Sequence, residues 1–372
     1  MKKIFTVLSI AIIITGCGGG DNNDIYSDGF DRNALLINIT DNIIIPAYNN
    51  FSSKTTELEN TIDQFIAETN QNNLDLVQTK WLDAYMAWQH IEMFDINMAE
   101  EINFRKKMNS YPANGSRIEL NVLSESYDFN DPNHYAAQGF PSLDYMINGL
   151  QNGITKYNGA DGGKYLAYLK ALISTINFNT NEVKNEWISN RDNFISSTEN
   201  TATSSLNKLT NDFIFYYEKG FRANKIGIPA GVFSGSKLPQ NIEAYYHNLS
   251  NNNTSKNLAL EAFTAINKFF SGVHFNNSTE GSSLKEYLNY LNATDDGDTL
   301  SNVIIATINT AEAAINDLDD DLMNQINTDN YQLLVTYDKI QAAVPLLKVD
   351  MIGHLSIDTV SYTHLRAHET RI

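Results

Sequence analysis

The sequence predicts an all-α protein of two packed helical bundles, and three features of the chain support this. Apolar residues recur at spacings of three and four along most of the 372 residues, as on one face of an amphipathic helix. No run alternates apolar and polar residues as half-buried strands do. Glycine, proline and asparagine cluster in a few short stretches, which divide the pattern into separate helices.

The clearest apolar stripe predicts one long helix near the middle of the N-terminal half. Its members are Leu74, Val77, Trp81, Ala84, Tyr85, Trp88 and Ile91. Leu58, Ile62 and Phe65 form a shorter stripe before it. Further stretches with helical spacing cover 166–176, 206–217, 258–270, 303–326 and 340–351. Together these stripes can bury a large core.

Three breaker-rich stretches, at 109–115, 148–163 and 225–239, set the predicted domain organisation. The last contains Gly227, Pro229, Gly231, Gly235 and Pro239, which are too many for a helix interior. We therefore predict an N-terminal bundle over 31–224, a junction loop over 225–239 and a C-terminal bundle over 240–358. Each bundle is expected to be of the four-helix kind.

The N-terminus reads as a lipoprotein export signal. Lys2 and Lys3 precede an apolar stretch over 4–14, and Thr15 and Gly16 precede the single cysteine, Cys17. This lipobox pattern predicts a signal peptide over 1–16, lipid attachment at Cys17 and a flexible tether over 17–30. The alternative is a plain signal peptide with an incidental cysteine. We expect a lipid-anchored protein of the cell envelope, at the periplasmic face or outer surface of the outer membrane.

Charge restricts the classes of partner. The chain carries 44 acidic and 26 basic residues, for a net charge of −18. Such a surface repels nucleic acid, so a nucleic-acid partner is excluded and the membrane is expected to be reached through lipid on Cys17. The stretch 359–372 is basic and histidine-rich after this acidic body, and we interpret it as an artefactual tail.

Six short motifs occur in the order found in imelysin-like proteins. They lie at 42–48, 87–92, 109–112, 139–145, 225–231 and 281–288. The chain thus resembles the imelysin family over about residues 33–355. The resemblance implies an all-helical protein of two bundle-like halves, exported to the envelope, with a site between the halves. Some family members are described as metallopeptidases, and others belong to iron-regulated or iron-uptake systems.

The motif at 139–145 departs from the family's G-x-H-x-x-E signature. Pro141 stands at the histidine position and has no ligand atom, while Asp144 stands at the glutamate position. A catalytic zinc usually has three protein ligands and one open position for water. We therefore expect no zinc peptidase activity.

Seven residues are predicted to line the site, as ligands of a small molecule or metal. They are Asp144, Glu92, Trp88, Tyr111, Ser142, Lys225 and Arg222. An oxygen-rich set of Asp144, Glu92 and Tyr111 would suit a divalent metal harder than zinc, or iron. The structural alternatives are a helix-stabilising Asp144, an ion-paired or solvated Glu92, and cations that pair with Glu218.

Three functions remain open on the sequence. The first is a non-catalytic ligand- or metal-binding lipoprotein associated with iron uptake, with iron-uptake components as partners. The second is a metallopeptidase whose ligands are not readable from the sequence. The third is a surface interaction protein without a small-molecule site.

Overall fold

The computed structural model describes residues 28–357, and within them the regular secondary structure is almost all helical. The predicted all-α class is confirmed. Cys17, the signal peptide, most of the tether and the tail over 359–372 lie outside the described residues. Within 28–357, no helix combines the length and apolarity that crossing a bilayer requires.

The helices vary widely in length. The α-helices of the N-terminal part are Arg32–Asn38, Ile45–Ala67, Gln71–Trp88, Met98–Glu101, Phe104–Asn109, Gly115–Ser124, Gly139–Asp144, Ile154–Tyr157, Gly162–Ser189, Arg191–Ser196 and Ser205–Phe215. Those that follow are Ile228–Ala230, Tyr245–Asn248, Thr254–Ser271, Leu284–Tyr290, Leu300–Asn316, Leu322–Thr328, Asn330–Gln341, Ala343–Pro345 and Ile352–Leu355.

Other elements are short or unusually wound. Four segments are π-helical: Ile39–Ile44, Tyr145–Gly149, Tyr216–Gly227 and Leu346–Met351. Two are 3₁₀-helical: Pro132–Ala137 and Pro239–Asn241. Thr294–Asp295 and Asp298–Thr299 form a two-residue antiparallel hairpin, with Thr294 opposite Thr299.

The long helices pack into two groups. In the N-terminal group, Ile45–Ala67 packs against both Gln71–Trp88 and Gly162–Ser189. Its core is rich in aromatic rings; the Phe140 ring stacks on Tyr85 at 4.7 Å, and Trp81, Trp88 and Trp187 are all buried. All seven residues of the stripe predicted from Leu74 to Ile91 are buried, although the helix that carries most of them ends at Trp88.

The C-terminal group is built around Leu300–Asn316, which packs against Thr254–Ser271 and Asn330–Gln341. The π-helical segment Tyr216–Gly227 packs against Asn330–Gln341 and Thr254–Ser271, although it lies almost wholly before the predicted junction. Contacts between the groups include those of Tyr245–Asn248 with Gly139–Asp144 and Tyr145–Gly149, and those of Thr254–Ser271 with Gln71–Trp88.

The loop predicted at 225–239 is partly helical. Lys225 to Gly227 end the π-helical segment, and Ile228–Ala230 continues it before Gly231 turns the chain with a positive φ of 83°. Pro229 lies in this short helix, directly before the chain turns. The irregular stretch therefore begins at Gly231.

Candidate functional site

A buried ionic cluster lies where the two groups of helices meet. The Lys225 ammonium is 2.5 Å from Glu243 Oε2 and 3.5 Å from Glu92 Oε2, and it donates a 2.8 Å hydrogen bond to Gln89 Oε1. Gln89 and Glu92 follow the helix Gln71–Trp88, whereas Lys225 and Glu243 belong to the C-terminal half. All four side chains are buried. With Asn109 they form what we call the interface cluster.

The two amides of the interface cluster donate to its carboxylates, and Asn109 bridges them. Asn109 Nδ2 donates to Glu92 Oε1 at 2.7 Å and to Glu243 Oε1 at 2.8 Å. Gln89 Nε2 donates to the same Glu243 oxygen at 3.1 Å. Buried carboxylates need such donors because they have lost their hydration. The cluster is thus held together from both halves of the molecule.

Three tyrosines surround the interface cluster. Tyr85 donates to Asn109 Oδ1 at 2.6 Å, and Tyr216 donates to Glu92 Oε2 at 3.1 Å. The Tyr111 hydroxyl is buried, although the residue as a whole is partly exposed, and it has no hydrogen-bond partner among residues 28–357. Burial raises the pKa of Tyr111, and the charges of Glu243 and Glu92 raise it further.

The π-helical winding explains how Tyr216 and Lys225 reach the same carboxylate. They are nine residues apart, which is about two and a half turns of an α-helix at 3.6 residues per turn and would leave them on opposite faces. In the wider π-helical segment, both side chains contact Glu92 Oε2. Such segments are often associated with functional sites.

The surroundings keep Lys225 charged. Burial alone would lower the pKa of Lys225, but the charges of Glu243 and Glu92 outweigh it and raise the pKa above its ordinary value. A second ionic group adjoins the cluster: Arg105 Nε donates to the Glu92 carbonyl at 2.8 Å, and its guanidinium pairs with Asp212 at 3.1 Å. The buried carboxylates of Glu243 and Glu92 therefore share the ammonium of Lys225.

Asp144 lies outside the interface cluster and caps a helix of the opposite half. Its two carboxylate oxygens accept hydrogen bonds from the backbone N–H groups of Tyr246 and His247, both at 2.9 Å. The Asn148 amide donates to it as well, at 2.9 Å. The structural alternative considered for Asp144 is therefore the arrangement found, although the stabilised helix is Tyr245–Asn248 rather than its own.

The other predicted site residues are dispersed. Arg222 contacts the Tyr337 hydroxyl and lies 3.7 Å from Glu218, the partner considered for it on the sequence. Trp88 Nε1 and Ser142 Oγ are buried without a hydrogen-bond partner among the described residues. The Trp88 ring packs against Phe104 and Phe51 in the N-terminal core. Of the seven predicted residues, the structure brings Glu92, Lys225 and Tyr111 together.

A catalytic zinc does not fit the signature segment. Pro141 offers no ligand atom, and both oxygens of Asp144 already accept backbone hydrogen bonds. His247 approaches Asp144 through its backbone N–H, while its ring Nδ1 is 2.8 Å from Thr254 Oγ1. Across residues 28–357, no three His, Cys, Asp or Glu side chains are grouped as a metal site.

Sequence reasoning missed Glu243, Asn109, Gln89, Tyr216 and Tyr85. Gln89 and Asn109 lie inside two of the motifs that carried the resemblance, so the motif positions themselves were a usable signal. Glu243 has no comparable local mark. It becomes part of the site only because the chain places it opposite Asn109, 134 residues away.

The fold and the interface cluster define an all-helical protein of two groups with a buried ionic junction. The imelysin family model (peptidase M75) matches residues 44–347, and the chain belongs to this family. No curated protein matches the chain.

Among the solved structures that share the fold, two match this chain over most of its length. One is a protein assigned as an iron-regulated protein A precursor from Parabacteroides distasonis ATCC 8503, with a TM-score of 0.69 and 16% identity. The match covers 86% of this chain and 95% of that one. The other is an imelysin-like protein from Psychrobacter arcticum 273-4, with a TM-score of 0.64, 17% identity, and coverage of 89% and 97%.

Proposed function

We propose that this protein is a non-catalytic binding lipoprotein of the cell envelope that serves iron acquisition, with its ligand site at the interface cluster. The observation that carries the proposal is the convergence of Glu92, Lys225 and Glu243 from both halves into one buried site. Buried charges are costly, and functional sites are where such groups collect. A site held from both halves can also couple ligand binding to the way the halves pack.

The chemistry of the signature segment supports binding rather than hydrolysis. A peptidase zinc would need a ligand at position 141 and a free carboxylate at 144, and proline and a capping aspartate supply neither. The interface cluster contains no histidine, and its lysine is paired with carboxylates. No residue there is arranged as a metal-bound base for activating water.

The proposed role in iron acquisition rests on the name of a solved structure that shares the fold. The similar protein from Parabacteroides distasonis carries the name of an iron-regulated protein A precursor. The lipobox at Cys17 predicts a location in the cell envelope, where proteins that take up iron act. Iron-uptake components of that membrane are the partners this proposal implies.

Incubating the purified protein with denatured casein, with and without a chelator, tests the absence of catalysis. We expect no chelator-sensitive cleavage, while a known zinc peptidase in parallel digests the substrate. Cleavage that a chelator stops and that Asp144→Ala abolishes would establish the metallopeptidase alternative.

Iron analysis of protein isolated from iron-replete cells tests the binding role. Stoichiometric iron that is lost in Glu243→Gln supports it, and iron-free protein contradicts it.

A further inference from the structure

The charges of the interface cluster do not balance. Glu92 and Glu243 carry two negative charges, and Lys225 is the cation that contacts both. The neighbouring Arg105 does not supply the missing charge, because it is itself flanked by Asp212 at 3.1 Å and Asp95 at 3.6 Å. A buried group with one excess negative charge favours a further cation, or a cation of higher charge.

The Lys225 ammonium sits in an oxygen shell that resembles a small metal site. Its oxygen neighbours are Glu243 Oε2 at 2.5 Å, Gln89 Oε1 at 2.8 Å and Glu92 Oε2 at 3.5 Å. Carboxylate and amide oxygens are the ligands that hard divalent cations such as Mg²⁺ and Mn²⁺ prefer. An ammonium is a compact point charge on a flexible stem, so it can occupy such a position and also leave it.

The Tyr111 hydroxyl is an independent sign of a ligand. It is buried beside Glu92 and Glu243, yet it makes no hydrogen bond within the described chain. A buried hydroxyl without a partner costs free energy, and in native structures it is usually satisfied by an ion, a water or a ligand. Tyr111 adds a further oxygen close to the two carboxylates.

We propose that the Lys225 ammonium occupies the position of a metal ion, and that a hard divalent cation binds Glu92 and Glu243 when the lysine side chain withdraws. A divalent ion bound between these two carboxylates balances both of their charges, whereas the single charge of the ammonium leaves one negative charge unbalanced. Binding and lysine pairing then compete for the same oxygens. This inference rests on the proposed function and deepens it, because it names the ligand class and the residue that regulates access.

Mn²⁺ titration of the full chain, purified without added metal, tests the competition. Lys225→Met removes the ammonium and keeps most of the side-chain volume. We expect the variant to bind one Mn²⁺ per chain at least about tenfold more tightly than wild type, about 1.4 kcal/mol. The double variant Lys225→Met/Glu243→Gln should lose this gain, because one of the two carboxylates is gone.

Lys256→Met is the matched control, because Lys256 is another buried lysine with oxygen partners. Its ammonium donates to the carbonyls of Asn316 at 3.0 Å and Leu318 at 2.7 Å, and pairs with Asp320 at 3.0 Å. This variant should bind Mn²⁺ as wild type does. Equal affinity in wild type and Lys225→Met overturns the proposal, and so does a gain that persists in the double variant or appears in Lys256→Met.

A folding defect in Lys225→Met would not remove the test. Lys225→Gln keeps a hydrogen-bond donor without the charge, and the same gain in Mn²⁺ affinity is expected of it. The wild-type protein provides a further test. If it already binds Mn²⁺ tightly and neither Lys225 substitution changes the affinity, the proposed competition between Lys225 and the metal is wrong. That result would leave the proposed function standing, whereas chelator-sensitive casein cleavage would remove the function itself.

Discussion

At the scale of single residues, buried lysines act as internal counterions in this acidic chain. Lys225 is held by two carboxylates and an amide, and Lys256 by two backbone carbonyls and Asp320. Asp320 belongs to the acidic run at 317–321 and stays largely exposed while it pairs with Lys256. Removing one member of a buried pair costs more than the pair contributes, because the other charge stays buried.

Asp144 gives the stability of the protein a predictable dependence on pH. Burial raises the pKa of Asp144 to about 7, against the opposing effect of the Asn148, Tyr246 and His247 donors. An unfolded aspartate has a pKa of about 3.9, so between these values the folded state holds one more proton than the unfolded state. The contribution of Asp144 to the free energy of unfolding should therefore fall as pH rises from about 4 to about 7, by at most about 1.4 kcal/mol per pH unit.

Asp144→Asn should remove this contribution, because asparagine does not titrate. Urea unfolding of wild type and variant at pH 5 and pH 7 measures it. The stability difference between the two pH values should be smaller in Asp144→Asn than in wild type. The same pH difference in both proteins would show that Asp144 remains ionised in the folded state.

Asn109→Asp should destabilise the protein strongly. The change places a third carboxylate against Glu92 and Glu243 and removes the Nδ2 donor that bridges them. An uncompensated buried charge of this kind costs about 3 kcal/mol or more. Because the new carboxylate resists ionisation, the loss measured by urea unfolding should be larger at pH 8 than at pH 5.

Asn121→Asp is the control for this substitution. Asn121 is also buried, but its amide donates to the Tyr168 hydroxyl at 3.1 Å rather than to a carboxylate. Its loss of stability should be smaller and should change less with pH. Equal losses in the two variants would mean that the carboxylates of the interface cluster do not repel a third charge.

At the scale of elements, the signature segment Gly139–Asp144 acts as a connector between the halves. Gly139 begins it with a φ of 74°, Phe140 stacks on Tyr85, and Asp144 caps Tyr245–Asn248. The segment therefore links the aromatic core of one group to a helix of the other. The same six positions that carry the family's signature are used here for packing and capping.

Gly139→Ala should destabilise the protein by about 1–3 kcal/mol or more. The positive φ disfavours a side chain, and a β-carbon there would lie 2.5 Å from the Lys107 carbonyl oxygen and in collision with that of Met108. Gly163→Ala is the control, because Gly163 lies in the helix Gly162–Ser189 with open space around it. That change should leave thermal stability unchanged or raise it. A tolerated Gly139→Ala would contradict the close approach of the 107–108 backbone.

At the scale of the whole molecule, the two groups of helices are joined by polar contacts as well as by packing. Asn109 and Gln89 bond to Glu243, Lys225 bonds to Gln89, and Asp144 bonds to the backbone at Tyr246 and His247. Such contacts are directional and hold one relative orientation of the halves. The geometry of the interface cluster therefore depends on the relative orientation of the two halves.

Membrane attachment through Cys17 is a prediction for the molecule as a whole. Wild-type protein should label with radioactive palmitate and fractionate with membranes, since acyl chains on one terminus suffice to hold a soluble body there. Cys17→Ala should lose both properties, while the folded body keeps its helical circular dichroism. A Cys17→Ala protein that still labels and still fractionates with membranes would contradict the lipoprotein assignment.

Local patterns in the sequence predict the class of fold, two members of the interface cluster (Glu92 and Lys225) and the neighbouring Tyr111. Apolar spacing depends on the local backbone period, so the stripe from Leu74 to Ile91 could be recognised from the sequence as a buried helix face. The order of the motifs indicated the family, and Glu92, Lys225 and Tyr111 were predicted as site residues because they lie in or beside those motifs. Each of these inferences depends on residues that are near one another in the chain.

The contacts that those residues make depend on how distant parts of the chain pack together. The partner of Glu92 is Lys225, 133 positions further on, and the bond between Gln89 and Glu243 spans 154 positions. No local period relates such residues, and the π-helical winding that turns both Tyr216 and Lys225 toward Glu92 breaks the spacing rule that an α-helix would obey. Asp144 likewise lies in the signature segment but takes its role from a helix about a hundred residues later, because burial and donors are set by the packing of the two halves.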